Sequence, residues 1–261
     1  DLLGGDSEST DWSNMTDNDI VFLDFPYENQ ELDLKKLPPL NEIAGFFLET
    51  YQGWGAWFYP QKYIDKLYQL SRENNILFCF DEVQSGFYRM GTLYGYQTYG
   101  DYKPDIITLG KGLTSSLPLS AVLSRKEIID CDSSANLSST HAGNTLCCAA
   151  GLGNLEFLNE ESFQINLKEK CEYFEEKCNS LLKYNVVSKV NVRGLICGII
   201  LKDKKITSGI VKKCIMDGIL MMDTKRESIK LGPPLTITID ALKEVFEVLE
   251  KNIGEVDEFY I

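Results

Sequence analysis

Three side chains within FDEVQSGFYRMGTLYGYQTYGDYKPDIITLGKG, residues 80–112, are of types that could do chemistry together. Asp81 ends an apolar run, Gln84 stands just after it, and Lys111 lies thirty residues beyond Asp81, between Gly110 and Gly112. Neither glycine carries a Cβ, so the pair lets the backbone turn sharply or approach a ligand closely beside the lysine. Singly, each residue is commonplace: strand-end aspartates cap turns, and lysines are mostly solvated. Together, a strand-end acid, an amide and a strand-end amine could converge on a flat basic heterocycle bearing an aldehyde.

Phosphate loops do not explain the lysine. A P-loop needs a glycine five residues before Gly110, where Asp105 stands, and a hydroxyl residue after the lysine, where Gly112 stands. The string GLG at 151–153 lacks the third glycine of a dinucleotide fingerprint and falls inside a helical pattern, where it reads as close helix packing.

The elements that must position these residues alternate in type. IAGFFLE (43–49), ILFCFDEV (76–83), PDIITLGKG (104–112) and LSAVLSR (119–125) read as strands. YPQKYIDKLYQLSRENN and NTLCCAAGLGNLEFL read as helices between and after them. Continuous apolar strands separated by helices predict an α/β fold with a sheet covered on both faces. The texture changes near residue 160. A long amphipathic helix to about Asn185, with Leu167, Cys171, Phe174, Cys178 and Leu181 on one face, leads into a tail of strands and two helices. This predicts a large domain over 1–160 and a small α+β domain over 161–261.

Composition bounds the partners. The chain of 261 residues has 26 Lys+Arg against 39 Asp+Glu, a net charge of −13, which repels nucleic acid and anionic lipid surfaces. No apolar run approaches the roughly 20 residues of a membrane span. The eight cysteines include no C-x-x-C pair and His141 is the single histidine, so no zinc spacing is present and His141 reads as structural. Cysteines on apolar faces read as small core residues in a reducing, cytoplasmic compartment, where the sequons at Asn14 and Asn136 carry little meaning.

The motifs resemble those of the class III, ornithine and 4-aminobutyrate type, pyridoxal-phosphate (PLP) aminotransferases. The family's D-E-V-Q-T-G-F-G-R-T-G, P-D-I, lysine and P-L motifs are matched in order by DEVQSGFYRMG, PDIITLGKG and LPLSAVL. STHAGNTLCCAAGLGNLEFL and IKLGPPLTIT extend the resemblance over about residues 40–252. It implies a fold-type I transferase, with residues 1–160 part of the large PLP-binding domain. Lys111 would form the Schiff base and shuttle the proton, and Asp81 would keep the pyridine nitrogen protonated. Val83 would pack on the ring face and Gln84 would bond the ring hydroxyl. Thr140 would reach the cofactor phosphate across a homodimer interface. The implied reaction moves an amino group between an amine or amino acid and a 2-oxo acid or aldehyde.

Two departures matter. Many members have E-P-x-Q-G-E-G-G, whose second glutamate pairs with a substrate-binding arginine near the C-terminus. Here ETYQGWGAWFYP places Trp54 at that glutamate, and SIKLGPPL places Lys230 at the arginine. Both halves of the pair have changed, and an ammonium cannot reproduce a bidentate carboxylate clamp. Trp54 and Lys230 are thus expected to face an ω-amine, diamine or amino-sugar donor, with pyruvate a candidate acceptor, unless Trp54 and Trp57 merely pack. Residues 1–40 also show no equivalent of the family's phosphate-cradling loop and ring-stacking aromatic, which predicts poor cofactor affinity for this chain by itself. An aminomutase or epimerase of the same fold and a truncated non-catalytic partner protein are the alternatives.

Overall fold

The computed structural model describes residues 19–27, 30–53, 55–130, 140–225 and 228–259. Trp54, the two sequons and Cys131 lie outside the described residues.

The first sheet follows from the apolar runs. Strand β1 (Gly45–Glu49) is followed by the small hairpin β2 (Tyr51–Gln52) and β3 (Trp57–Phe58), then helix α1 (Gln61–Glu73), β4 (Leu77–Asp81), β5 (Ile106–Leu109), β6 (Ala121–Ser124) and the single-turn α2 (Lys126–Ile129). The strand order is β1-β4-β5-β6. β1, β4 and β5 run parallel, whereas β6 returns antiparallel to β5. Helix α1 buries Tyr63, Ile64, Leu67 and Leu70 on the face its spacing predicts, against Phe46, Phe78 and Phe80 of the sheet.

Coverage of both faces is not observed among the described residues. Phe47 on β1 and Val122 and Leu123 on β6 remain exposed, at 49%, 57% and 43%. The cause is geometric: α1 lies against β1 and β4 on one side, and side chains alternate along a strand, so Phe47 turns away from it.

Helix α3 (Thr145–Leu158) starts at Asn144, whose side chain accepts the amide hydrogens of Leu146 and Cys147. Helix α4 (Glu161–Ser180) ends five residues short of the expected Asn185, in a 3₁₀ turn over Leu181–Lys183. A second, antiparallel sheet follows, of order β7-β8-β10-β9, from β7 (Val187–Arg193), β8 (Ile196–Leu201), β9 (Met222–Asp223) and β10 (Ser228–Leu231). Helix α5 (Lys204–Met216) stands between β8 and β9, and α6 (Ile239–Asp257) closes the fold. β8 is buried along its whole length because it lies between β7 and β10. One apolar core joins Phe87, Leu109, Leu113 and Leu158 to Leu167, Phe174, Ile199, Ile229 and Phe246, so packing is continuous across residue 160.

Candidate active site

Parallel pairing brings the candidate chemistry to one edge. Glu49 of β1 lies in register with Asp81 of β4, and Asp81 with Thr108 of β5, so the carboxyl ends of three strands point the same way. Ligands of open α/β sheets bind beyond such ends. Lys111 begins a 3₁₀ turn directly after β5 and is exposed.

The local conformation differs from the expected role of the glycines. Gly110 has φ −172°, an extended value open to any residue, while Lys111 itself holds φ +39°. The left-handed torsion therefore falls on the lysine. A Cβ on Gly112 would press on the Phe87 ring at 3.3 Å, and one on Gly110 would only touch Val83, at 3.5 Å. Gly112 serves close packing, and Gly110 brings the backbone against Val83.

Three polar groups here lack partners that their chemistry could take. The Asp81 carboxylate accepts the Val83 amide hydrogen at 2.9 Å through Oδ1, and its Oδ2 receives no hydrogen bond among the described residues. Lys111 Nζ has neither a hydrogen-bond nor an ion-pair partner among them. The Gln84 amide accepts from Lys230 Nζ at 3.0 Å through Oε1, and its Nε2 donates to none of them. Val83, Gln84, Lys111 and Lys230 all line one open cleft of about 1450 Å³, whose walls also include Tyr51 and Arg89. An acid oxygen, an amine and an amide NH₂ left unsatisfied suit a flat heterocycle with a basic nitrogen, a carbonyl carbon and a ring oxygen.

Thr140 is not brought to this cleft within the single chain. It lies on an exposed turn ahead of α3.

Two charged neighbours of this edge were not singled out from the sequence. Glu49 accepts the Gly53 amide hydrogen at 3.0 Å, and burial first, then the adjacent Asp81 charge, push its carboxyl above the usual range against that bond. Its signal was the first glutamate of ETYQG. Arg89 stands in DEVQSGFYRMG and donates to the carbonyls of Leu195 at 2.9 Å and Pro233 at 2.6 Å, tying the loop after β4 to the second sheet. Lys230 on β10 donates to the Gly53 carbonyl as well as to Gln84, and lies 5.5 Å from the Tyr51 ring centroid. Burial first, then the Lys111 charge, lower its pKa from the ordinary lysine value.

Comparison with known proteins supplies the family. The profile described as aminotransferase class-III matches residues 26–253. The chain is 33% identical over 220 residues to the acetylornithine aminotransferase of Caldanaerobacter subterraneus subsp. tengcongensis, covering 83% of this chain and 55% of that protein. It is 34% identical over 213 residues to the mitochondrial ornithine aminotransferase of Drosophila ananassae, covering 81% of this chain and 49% of the relative. Among solved structures, an ornithine aminotransferase from Plasmodium yoelii superposes with a TM-score of 0.75 at 31% identity, over 82% of this chain and 59% of the other. An S-selective transaminase from Arthrobacter sp., with alanine bound, gives 0.77 at 28% identity, over 84% and 53%. The chain spans about half the length of the curated relatives it matches. With its lysine, acid and amide at the carboxyl edge of a mostly parallel sheet, the chain belongs to the class III aminotransferase family.

Proposed function

We propose that this chain serves the transfer of an amino group between an amine or amino acid and a 2-oxo acid or aldehyde, with PLP held at Lys111. The observation that carries the reading is that Val83, Gln84 and Lys111 line one cleft, with Asp81 at the carboxyl end of β4 beside them in sequence. PLP, when bound, supplies an aldehyde for imine exchange and a ring that takes up electrons from the substrate carbon. The residues of this chain do the rest. Lys111 offers Nζ as the amine and, when free, as the base that moves the substrate proton. When PLP is bound, Asp81 Oδ2 would accept a hydrogen bond from the protonated ring nitrogen, Val83 would pack against the ring face, and Gln84 would donate to the ring oxygen.

The substrate side belongs to Lys230 and Trp54. Two of the three Lys230 donors are engaged by Gly53 and Gln84, and no carboxylate lies within ion-pair distance among the described residues. A lysine so engaged makes a poor bidentate clamp, which supports an amine donor and an acceptor other than 2-oxoglutarate. The exposed Thr140 turn supports a homodimer in which Thr140 reaches a partner's cofactor phosphate. We assign residues 1–160 to the large cofactor-binding domain, residues 161–261 to the small domain, and the protein to the cytoplasm. No described helix is long and apolar enough to cross a membrane.

Borohydride reduction after incubation with PLP, followed by mass mapping, tests the reading. Lys111 is expected to carry the reduced cofactor, and labelling spread evenly over surface lysines would overturn the assignment. In an amino-acceptor screen, strong preference for 2-oxoglutarate together with a harmless Lys230→Ala would remove the substrate argument.

A further inference from the structure

Lys230 occupies the place of an arginine that would face substrate, yet its ammonium is turned onto Gln84. It donates to Gln84 Oε1 at 3.0 Å and to the Gly53 carbonyl, with the ammonium 5.5 Å from the Tyr51 ring centroid. The oxygen and nitrogen of a carboxamide are nearly isosteric, so an amide is free to present either end unless its neighbours choose. An ammonium chooses, because it has donors and no acceptor. Its position beside Gln84 fixes which end of the amide is the oxygen, and leaves the NH₂ on the side of Gly53 and Glu49 with no described residue accepting from it. Gly53 holds the other side: a Cβ there would collide with the Gln84 amide and with Glu49 Oε1, 2.8 Å away. The amide is thus held by the Lys230 ammonium at its oxygen and by Gly53 at its nitrogen.

We propose that Lys230 is a positioning residue that acts through Gln84, locking its NH₂ toward the cofactor's ring oxygen, so that Lys230 sets cofactor affinity and electronics apart from any contact with substrate. The inference rests on the PLP reading of the site. A donor is what a phenolate oxygen, which can only accept, requires. A flipped amide would set two acceptors against each other and leave the Lys230 ammonium facing an NH₂, losing both bonds at once.

A double-mutant cycle tests it, with purified wild-type chain, Lys230→Met, Gln84→Leu and the double variant, each titrated with PLP. The readouts are the PLP dissociation constant and the pH midpoint of the visible absorbance band of the bound cofactor. We expect Lys230→Met to weaken PLP binding by roughly tenfold and to shift the midpoint in the same direction as Gln84→Leu. The double variant should be no worse than Gln84→Leu, because the two act as one unit. Lys230→Arg, which keeps a donor, should restore most of the affinity. If Lys230→Met fails to fold, Lys230→Gln replaces it in the same cycle, being polar but too short to reach Oε1. Additive effects, or a Lys230→Met variant with unaltered affinity and midpoint, would overturn the inference while leaving the PLP site standing. A wild-type chain that takes up no PLP at Lys111 would instead remove the functional reading and this inference with it.

Discussion

Lys111 holds φ +39°, a torsion that costs a residue bearing a Cβ about 1–2 kcal/mol. Strain of this kind is retained where surrounding packing enforces it, here by the Leu113 amide bonding the Gly110 carbonyl at 2.9 Å and by Phe87 against Gly112. Replacing the lysine therefore separates chemistry from stability. Lys111→Ala and Lys111→Gly should both abolish cofactor labelling at this position, yet Lys111→Gly should be the more stable by about 1 kcal/mol, read from urea midpoints. Equal midpoints would mean that the torsion relaxes without cost. At Asp81, Asp81→Asn should leave the fold intact and reduce turnover by roughly a hundredfold, since the amide no longer favours a protonated ring nitrogen; single-turnover kinetics checks this. The placement of Gln84 and Lys111 on one cleft, and of Asp81 at the end of β4, was legible because their types and order are unusual together. The strained torsion was not, because a residue's type does not state its φ. Glu49 escaped notice because a glutamate at a strand end has ordinary chemistry until a second carboxylate is set in register with it.

The loop after β4 depends on a residue with no reacting role. Glu82 is fully buried and accepts from Thr50 Oγ1 at 2.6 Å, Ser85 Oγ at 2.8 Å, and the amides of Gly95 and Tyr96, both at 2.7 Å. Four donors around one carboxylate pin residues 82–96 to the hairpin start beside β1. Glu82→Ala would orphan them and should cost about 3 kcal/mol or more, measured by denaturant unfolding. At the opposite end of the sheet, Asp105 accepts from the Phe78 amide at 2.9 Å, pairs with Arg72, and lies 3.1 Å from Arg125. Burial works against its charge, but the Arg72 bond, the Phe78 amide and both guanidinium charges hold the carboxyl below the usual aspartate range. A depressed folded value contributes stability that is complete above the unfolded value near 3.8 and is lost as pH falls through the folded one. Asp105→Asn should flatten that acid limb of stability against pH, and an unchanged limb would show that Asp105 is not its source. The strands flanking these anchors were legible as apolar runs. The reversal of β6 was not, because a four-residue run such as AVLS carries no direction, and whether a partner strand is parallel depends on the connection. Lys170 was hidden for a similar reason: it is buried on α4, where the apolar spacing gives no hint that its Nζ meets the Leu235 carbonyl at 2.6 Å.

Across the whole molecule, the site is made of groups from both sheets, and its integrity rests on the seam between them. Gln84 and Lys111 follow strands of the first sheet, while Lys230 lies on β10 of the second. Besides the apolar core that the two sheets share, the seam carries specific polar and backbone contacts. The Leu195 amide donates to the Arg89 carbonyl at 3.0 Å, the Arg89 guanidinium returns bonds to Leu195 and Pro233, and Gly194 in the β7–β8 turn lies flush on the backbone of residues 89–91. Gly194 holds φ +56°, and a Cβ there would come within 2.8 Å of the Arg89 carbonyl oxygen, with backbone rather than a movable side chain in the way. Gly194→Ala must then both strain the turn and push the sheets apart, and should cost more than about 2 kcal/mol. Both Arg89 side-chain bonds leave the same Nη1, so Arg89→Lys, which keeps the charge on a shorter stem, should fail to reach both carbonyls and weaken the seam while sparing the turn. If the seam aligns Lys230 with Gln84, both variants should lower PLP affinity, Gly194→Ala doing so from a position that does not line the cleft. Hydrogen exchange supplies the decisive pattern. Loss of protection in 228–235 together with 82–91 means that the two sheets open as one unit at this contact; loss confined to 187–201 means that the β7–β8 turn yields alone and the active cleft is held from elsewhere.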